Sequence, residues 1–148
     1  MKLEQRVSSV LVWLRYGVFL VMLAWTLDKI LNTKHAAGVF DKFYGLSGLD
    51  QTVFYVIATA ELLLIIAFVL GLFKTWTYGA VLVFHGISTL STFENYIPYV
   101  GDPVNLVFFA AWPMLAGCYV LFVLRDLDTR WTLGHSSADP RITRRKGN

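Results

Sequence analysis

Long apolar runs separated by short polar stretches are the main pattern in this sequence. Four such runs occupy residues 9–31, 52–73, 75–93 and 104–124. A helix needs about 20 mostly apolar residues to cross the roughly 30 Å hydrocarbon core of a bilayer. Each run meets or approaches that length, so the pattern predicts an all-α fold. We expect an integral membrane four-helix bundle over residues 1–125.

The connections between the runs differ in length and character. Residues 71–75 form a tight turn, which makes the second and third helices an antiparallel hairpin. The first connection is longer, and Phe40, Phe43 and Tyr44 share one face of a helix there. This spacing predicts a short helix that lies in the membrane interface. The last part of the chain, residues 126–148, is charged and polar, and we expect a basic cytoplasmic tail that is largely disordered.

The composition indicates a membrane protein. Of the 148 residues, 56% are hydrophobic and 16% are charged, whereas a soluble domain is usually about 25% charged. A soluble protein of this size would expose large apolar patches. The formal net charge is +3, and its clustering in the tail suits an anionic membrane surface better than nucleic acid. Cys118 is the sole cysteine, so no internal disulfide or Cys-x-x-Cys pair can form.

The distribution of Lys and Arg predicts the orientation. Basic residues precede the first run, include Lys74 in the second connection, and follow the fourth run. Four alternating helices put all of these on one side of the membrane. The third connection carries only Glu94 and Asp102 as charged residues. By the positive-inside rule, we expect a multi-pass protein of the cell inner (plasma) membrane, with its N-terminus and C-terminus in the cytoplasm.

Arg15, Glu61 and His85 are ionisable residues within the predicted membrane helices. At about 1.5 Å per residue, Glu61 and His85 both fall near the middle of the bilayer, and the long Arg15 side chain can extend toward them. Ionisable groups at such depth are costly and are therefore candidates for function. We expect them to form a buried polar cluster. It would be either a site that binds a ligand or relays protons, or a charge-paired network that fixes helix packing.

A second polar cluster is expected at the outer ends of the helices. Its members are Asp28, Lys29, His35 and Glu94. Inward-facing positions between the two clusters are polar or aromatic and are predicted to line an amphipathic pocket. The pocket-lining candidates are Thr89, Asn105, Phe109 and Trp112. The alternative is an ordinary bundle interior. Trp13, Trp76 and Trp131 are expected to anchor the inner membrane boundary.

The sequence contains no pattern typical of a phosphate, metal or haem site. There is no phosphate-binding glycine loop, and no two histidines have metal-ligand spacing. A haem held by two histidines would need both at one depth, and His85 alone lies in the predicted core. Neither haem nor a metal is expected as a cofactor, and nucleic acid is not expected as a partner.

The order of the polar and aromatic positions resembles the DoxX-like superfamily, which includes DoxX, DoxD and MauE-type membrane proteins. The matching positions are Arg15, Asp28-Lys29, Phe40, Tyr44, Glu61-Leu62, Gly71 and His85. The resemblance covers about residues 8–125. It implies a compact four-helix membrane bundle that is associated with quinone-linked sulfur oxidation or with maturation of periplasmic redox enzymes. The MauE-type branch resembles vitamin K epoxide reductase, which works through cysteine pairs that this chain lacks.

Three functions are therefore hypotheses. The first is an inner-membrane accessory protein, not an enzyme on its own, that binds a membrane or periplasmic protein of a redox or maturation system. The second is a quinone- or lipid-binding redox subunit in which His85 or Arg15 bonds a carbonyl and Trp112 and Phe109 contact the ring. The third is a small transporter or proton pathway through Glu61 and His85. The lipid bilayer is a partner in each, and each allows a homodimer.

Overall fold

The computed structural model describes residues 2–97 and 106–134, and within these ranges every regular element is a helix. The α-helices are α1 (Leu3–Leu31), α2 (Thr33–Tyr44), α3 (Gln51–Val69), α4 (Lys74–Ser91) and α5 (Ala111–Val123). Two 3₁₀ helices flank the α4–α5 connection, at Phe93–Tyr96 and Leu106–Ala110. The second of them runs directly into α5. The all-α prediction is confirmed for this part of the chain.

Local sequence explains where the helices begin and end. Gly45 ends α2 at φ 66°, a left-handed conformation that glycine adopts without steric cost. Asp50 caps α3, because its carboxylate accepts a hydrogen bond from the Thr52 amide at 2.6 Å. Pro113 lies in the first turn of α5, where its missing N–H costs nothing. These residues at the helix ends fix where α2 ends and where α3 and α5 begin, and so how much of each helix can pack in the bundle.

The four long helices form a ring in the order α1, α3, α4, α5. Helix α1 packs on α3 and α5, and α4 packs on the same two helices, while α2 lies beside α1. The shared core contains Leu11, Val18, Ile65, Phe68, Tyr78, Val81, Cys118 and Leu121. We name the two ends of the bundle by their contents. The terminal end holds the start of α1, the α3–α4 turn and the segment after α5; the loop end holds α2 and the 3₁₀ helices.

Three described segments are long and apolar enough to cross a membrane: Leu3–Leu31, Gln51–Val69 and Leu106–Val123. Helix α4 is not among them, because its 18 residues include a lysine, a histidine and several Thr and Ser residues. In the most apolar part of Leu106–Val123, only 17% of residues are buried within the chain. An exterior with this much apolar surface needs lipid around it, which indicates a membrane protein. Of the four expected spans, three meet the criterion.

The expected helix in the first connection is confirmed as α2. Its aromatic face packs on the bundle: the Phe40 ring lies 5.2 Å from that of Phe54 on α3. Phe43 lies 5.8 Å from Phe108, in the 3₁₀ helix before α5. Helix α2 therefore bridges two sides of the loop end. Its position in a membrane interface stays a prediction.

The segment after α5, which the sequence analysis assigned to a tail, folds back over the terminal end. Asp128 is fully buried, and the Leu133 amide donates a hydrogen bond to the Leu70 carbonyl at 2.8 Å. We call residues 124–134 the strap. The rest of the expected tail, residues 135–148, lies outside the described residues.

Candidate functional site

Arg15 is fully buried, and its partner is Asp128. Arg15 Nη1 donates to Oδ2 of Asp128 at 2.6 Å, and both side chains are 0% exposed. The Tyr78 hydroxyl donates to the same oxygen at 2.7 Å and accepts from Arg15 Nη1 at 3.3 Å. A charge removed from water must be paired and hydrogen-bonded. We call Arg15, Tyr78 and Asp128 the buried triad; it joins α1, α4 and the strap.

Further hydrogen bonds attach the strap to the helices. Arg15 Nη2 donates to the carbonyl oxygens of Arg130 at 2.8 Å and Trp131 at 3.1 Å. Lys74, which precedes the apolar part of α4, donates to the Asp128 carbonyl at 2.5 Å. Burial lowers the pKa of Lys74, and the nearby Asp128 carboxylate opposes that shift. A single guanidinium thus fixes both a side chain and two backbone groups of the strap.

Two atoms of the triad keep unused hydrogen-bonding capacity. Arg15 Nε and Asp128 Oδ1 are buried and have no hydrogen-bond partner among the described residues. Buried polar atoms in proteins are nearly always satisfied, by protein or by ordered water. The triad therefore has one donor and one acceptor left for a further small polar partner.

Glu61 pairs with Lys29 across the α1–α3 interface. Glu61 Oε2 accepts from Lys29 Nζ at 2.9 Å, and the two side chains are 18% and 12% exposed. The same oxygen accepts from the Thr26 hydroxyl at 3.2 Å. Thr26 and Lys29 lie three residues apart on one face of α1. This pair fixes the register of α1 against α3.

His85 joins α4 to the start of α5. Its Nε2 lies 3.0 Å from the Ala111 carbonyl oxygen. A carbonyl only accepts, so Nε2 carries the proton, and in the neutral ring Nδ1 is left as an acceptor. Thr89, one turn along α4, is buried and donates to the His85 carbonyl at 2.8 Å.

Arg15, Glu61 and His85, which were expected to form one cluster, make no hydrogen bond or ion pair with one another among the described residues. Within the described residues, the three side chains have separate hydrogen-bonding partners: Asp128 and Tyr78, Lys29 and Thr26, and Ala111. The physical reason is that depth alone does not place side chains together. The face of each helix decides which neighbour a residue meets.

The expected outer cluster is also divided. Asp28 Oδ2 lies 2.7 Å from His35 Nδ1, in a pair whose histidine side chain is 57% exposed. Lys29 points instead to Glu61. Glu94 is exposed in the 3₁₀ helix Phe93–Tyr96. The outer residues form a solvent-facing pair and a separate acidic position, not one site.

Two of the predicted pocket residues contact a tyrosine that the sequence analysis did not select. The Tyr96 ring centre lies 5.4 Å from that of Phe109 and 5.6 Å from that of Trp112. Phe109 and Trp112 are 42% and 44% exposed. The Tyr96 hydroxyl donates to the Thr89 carbonyl at 3.2 Å. We call Tyr96, Phe109 and Trp112 the loop-end aromatic group. Asn105, the other predicted pocket residue, lies outside the described residues.

Asp128 is the main residue of the buried triad that the sequence analysis missed. It lies in a polar stretch that was assigned to the tail, 113 residues after its partner. One signal pointed to it: Arg15 sits in an apolar run and needs a buried anion. Asp126 and Asp128 are the acidic residues nearest to the same end of the predicted bundle.

Glu61→Gln is expected to lower the free energy of unfolding by about 1–3 kcal/mol, because it leaves the partly buried Lys29 ammonium without its anion. His35→Ala is the matched control and should cost less than about 1 kcal/mol, since its ion pair is exposed. Detergent-based unfolding of both variants measures the difference. Equal losses would show that Glu61 contributes no more than a surface pair.

Comparison with protein-family models, with curated proteins and with solved structures gave no match. Across residues 2–97 and 106–134, no three His, Cys, Asp or Glu side chains come together as a possible metal site.

Proposed function

We propose that this chain is a DoxX-like accessory protein of the inner membrane, associated with a redox or maturation system and not an enzyme on its own. The observation that supports it is the pairing of the deep polar groups. Arg15 bonds Asp128, Glu61 bonds Lys29, and His85 bonds the Ala111 carbonyl. Each pair joins two elements of the same chain. These groups serve helix packing rather than surrounding a reacting atom.

The proposed membrane arrangement has four spans, with α4 as the fourth. Its support is the ring of helices, in which α4 packs between α3 and α5. The polar side of α4 carries Tyr78, His85 and Thr89, all of which have partners inside the bundle. Because its polar side chains are bonded inside the bundle, α4 can cross a bilayer although its hydropathy is lower than that of the three candidate spans. Basic residues at the terminal end support cytoplasmic termini.

The accessory function is tested by loss and rescue in the native host. Cells lacking this chain should lose the activity of one membrane or periplasmic redox enzyme, and the wild-type chain should restore it. Purification in native lipid discs should yield a partner protein at fixed stoichiometry. A chain that runs alone, in cells that keep every such activity without it, would contradict the proposal.

A quinone- or lipid-binding site is the second candidate, and the loop-end aromatic group favours it. Phe109 and Trp112 present partly exposed rings that a flat ligand can contact. Both terminal nitrogens of Arg15 already donate within the chain. His85 is therefore the better polar contact. With Nε2 donating to the Ala111 carbonyl, Nδ1 would accept a hydrogen bond from a ligand hydroxyl, which favours a quinol over a quinone.

His85→Ala is expected to weaken quinol binding roughly tenfold, as the loss of one hydrogen bond of about 1.4 kcal/mol would. His35→Ala is the control, because that exposed histidine pairs with Asp28 at the same end. Titration with a soluble quinol, followed by tryptophan fluorescence, measures both. Absence of saturable binding to the wild-type protein, with no quinone or quinol in its lipid extract, would rule this candidate out.

The third candidate, a transporter or proton pathway, has less support. Glu61 and His85 bond different partners on different helices, with no hydrogen bond between them. A lower proton flux in proteoliposomes of the Glu61→Gln variant than in those of the wild type would support this candidate.

A further inference from the structure

We propose that the strap is a membrane-interface anchor: Trp131 and Leu133 insert among the lipid headgroups at the terminal end. This inference rests on the membrane placement in the proposed function. It extends the boundary contact expected for Trp131 to Leu133, and it names the folded-back strap as the element that holds both side chains there. The partner is the bilayer surface itself.

The backbone of the strap faces the bundle. Arg15 binds the carbonyl oxygens of Arg130 and Trp131, and the Leu133 amide donates to the Leu70 carbonyl. Three successive contacts along the chain therefore fix the backbone from inside. The side chains of Trp131 and Leu133 are left 68% and 69% exposed.

Trp131 is held in a conformation that a bulky residue rarely adopts. Its φ is +50°, in the left-handed region. Such a conformation persists only where the surroundings impose it, and it is often linked to function. The indole of this residue is exposed over most of its surface and makes an edge contact with the Tyr16 ring, with the ring centres 6.1 Å apart. Contact with lipid would remove that indole from water.

Other aromatic side chains at the same end are exposed in the same way. Trp13 on α1 is 72% exposed, and Phe73 and Trp76 at the α3–α4 turn are 75% and 80% exposed. Tryptophans concentrate where a membrane protein crosses the headgroup region, since the ring is apolar and its N–H is polar. Trp131 thus adds a further aromatic side chain to the exposed aromatic residues that the helices place at the terminal end.

Basic side chains of the strap can contact anionic lipid headgroups, although its exposed Asp126 opposes that attraction. Arg130, next to Trp131, has an exposed side chain, and Arg125 lies at the start of the strap. Each basic residue near an anionic bilayer adds attraction that falls off within a Debye length. Arg130 and Trp131 are neighbours and both exposed, so one segment can contact both headgroups and acyl chains.

Spin labels at single cysteines test the anchor in proteoliposomes that contain anionic lipid. Cys118 is buried and is first replaced by alanine. Leu133→Cys then reports on the strap. Leu63→Cys, 66% exposed in the middle of α3, is the lipid control, and Asp126→Cys, exposed within the strap, is the water control. Each label is measured for collision with oxygen, which enriches in lipid, and with a water-soluble nickel complex.

The anchor predicts that the label at residue 133 collides several-fold more with oxygen, relative to nickel, than the label at residue 126. A water-like ratio at residue 133, beside a lipid-like ratio at Leu63→Cys, would overturn the anchor and leave the membrane bundle intact. A water-like ratio at both would overturn the membrane placement itself.

A second measurement needs no label. Lipids brominated near the glycerol end of the acyl chain should quench Trp131 fluorescence, and Trp131→Phe should remove that quenched component. Retention of all of the quenched emission in Trp131→Phe would contradict the anchor.

Discussion

Asp128→Ala is expected to lower the free energy of unfolding by about 3–5 kcal/mol, as breaking a buried ion pair from one side usually does. The variant leaves the Arg15 guanidinium in the core without its anion, and the Tyr78 hydroxyl loses its acceptor. Both groups are fully buried or nearly so. Unfolding by a denaturing detergent, followed by circular dichroism, measures the loss.

Asp126→Ala is the control for this result, because Asp126 lies two residues away and is exposed. It should change stability by less than about 0.5 kcal/mol. The double variant Arg15→Met with Asp128→Leu should recover much of the loss, since a buried pair can be replaced by apolar residues of similar size. Equal effects of Asp126→Ala and Asp128→Ala would show that the buried triad contributes nothing specific.

Gly71→Ala is expected to destabilise the chain by about 2–4 kcal/mol. Gly71 has φ +65°, and the left-handed conformation costs an L-residue roughly 1–2 kcal/mol. An added Cβ would also lie 2.5 Å from Thr132 Cγ2 and 2.7 Å from its Cβ, so the strap must move. A shifted strap weakens the Arg15 contacts described above, which adds to the cost.

Thr132→Gly separates the two causes. Combined with Gly71→Ala, it removes the clashing side chain and should restore the steric part of the loss, leaving the conformational part. Gly38→Ala is the control: nothing lies within 4 Å of an added Cβ in α2, and alanine favours a helix by roughly 0.5–1 kcal/mol. The melting temperatures of the wild type, Gly71→Ala, the double variant and Gly38→Ala measure the steric and the conformational parts of the loss. An unchanged Gly71→Ala would mean that the strap does not pack on the α3–α4 turn.

Much of the fold was predictable from the sequence, because helix positions depend on local patterns. The apolar runs predicted the long helices, and the spacing of Phe40, Phe43 and Tyr44 predicted α2. The tight turn near Gly71 was also predictable, since glycine is the usual residue at a left-handed position.

The partners of the deep polar groups were harder to predict. Helix depth placed Glu61 and His85 near one level, with the Arg15 side chain able to extend toward them, but rotation about each helix axis was unknown. A rotation of one residue turns a side chain by about 100° and gives it a different neighbour. Asp128 was missed because its burial results from the strap folding back, which no local pattern in residues 124–134 indicates. Only the need for a counter-ion pointed toward it.

The distance in sequence between Arg15 and its carboxylate partner has a consequence for synthesis. The guanidinium enters the nascent fold with α1, but 113 more residues must be made before Asp128 exists. At about 5–20 residues per second, that interval is on the order of ten seconds. Throughout it, the first helix carries an uncompensated charge, which disfavours its full release into lipid. Synthesis of the strap is therefore the step that neutralises the first helix, and a ribosome product truncated before residue 128 should be recognised by proteases as unassembled.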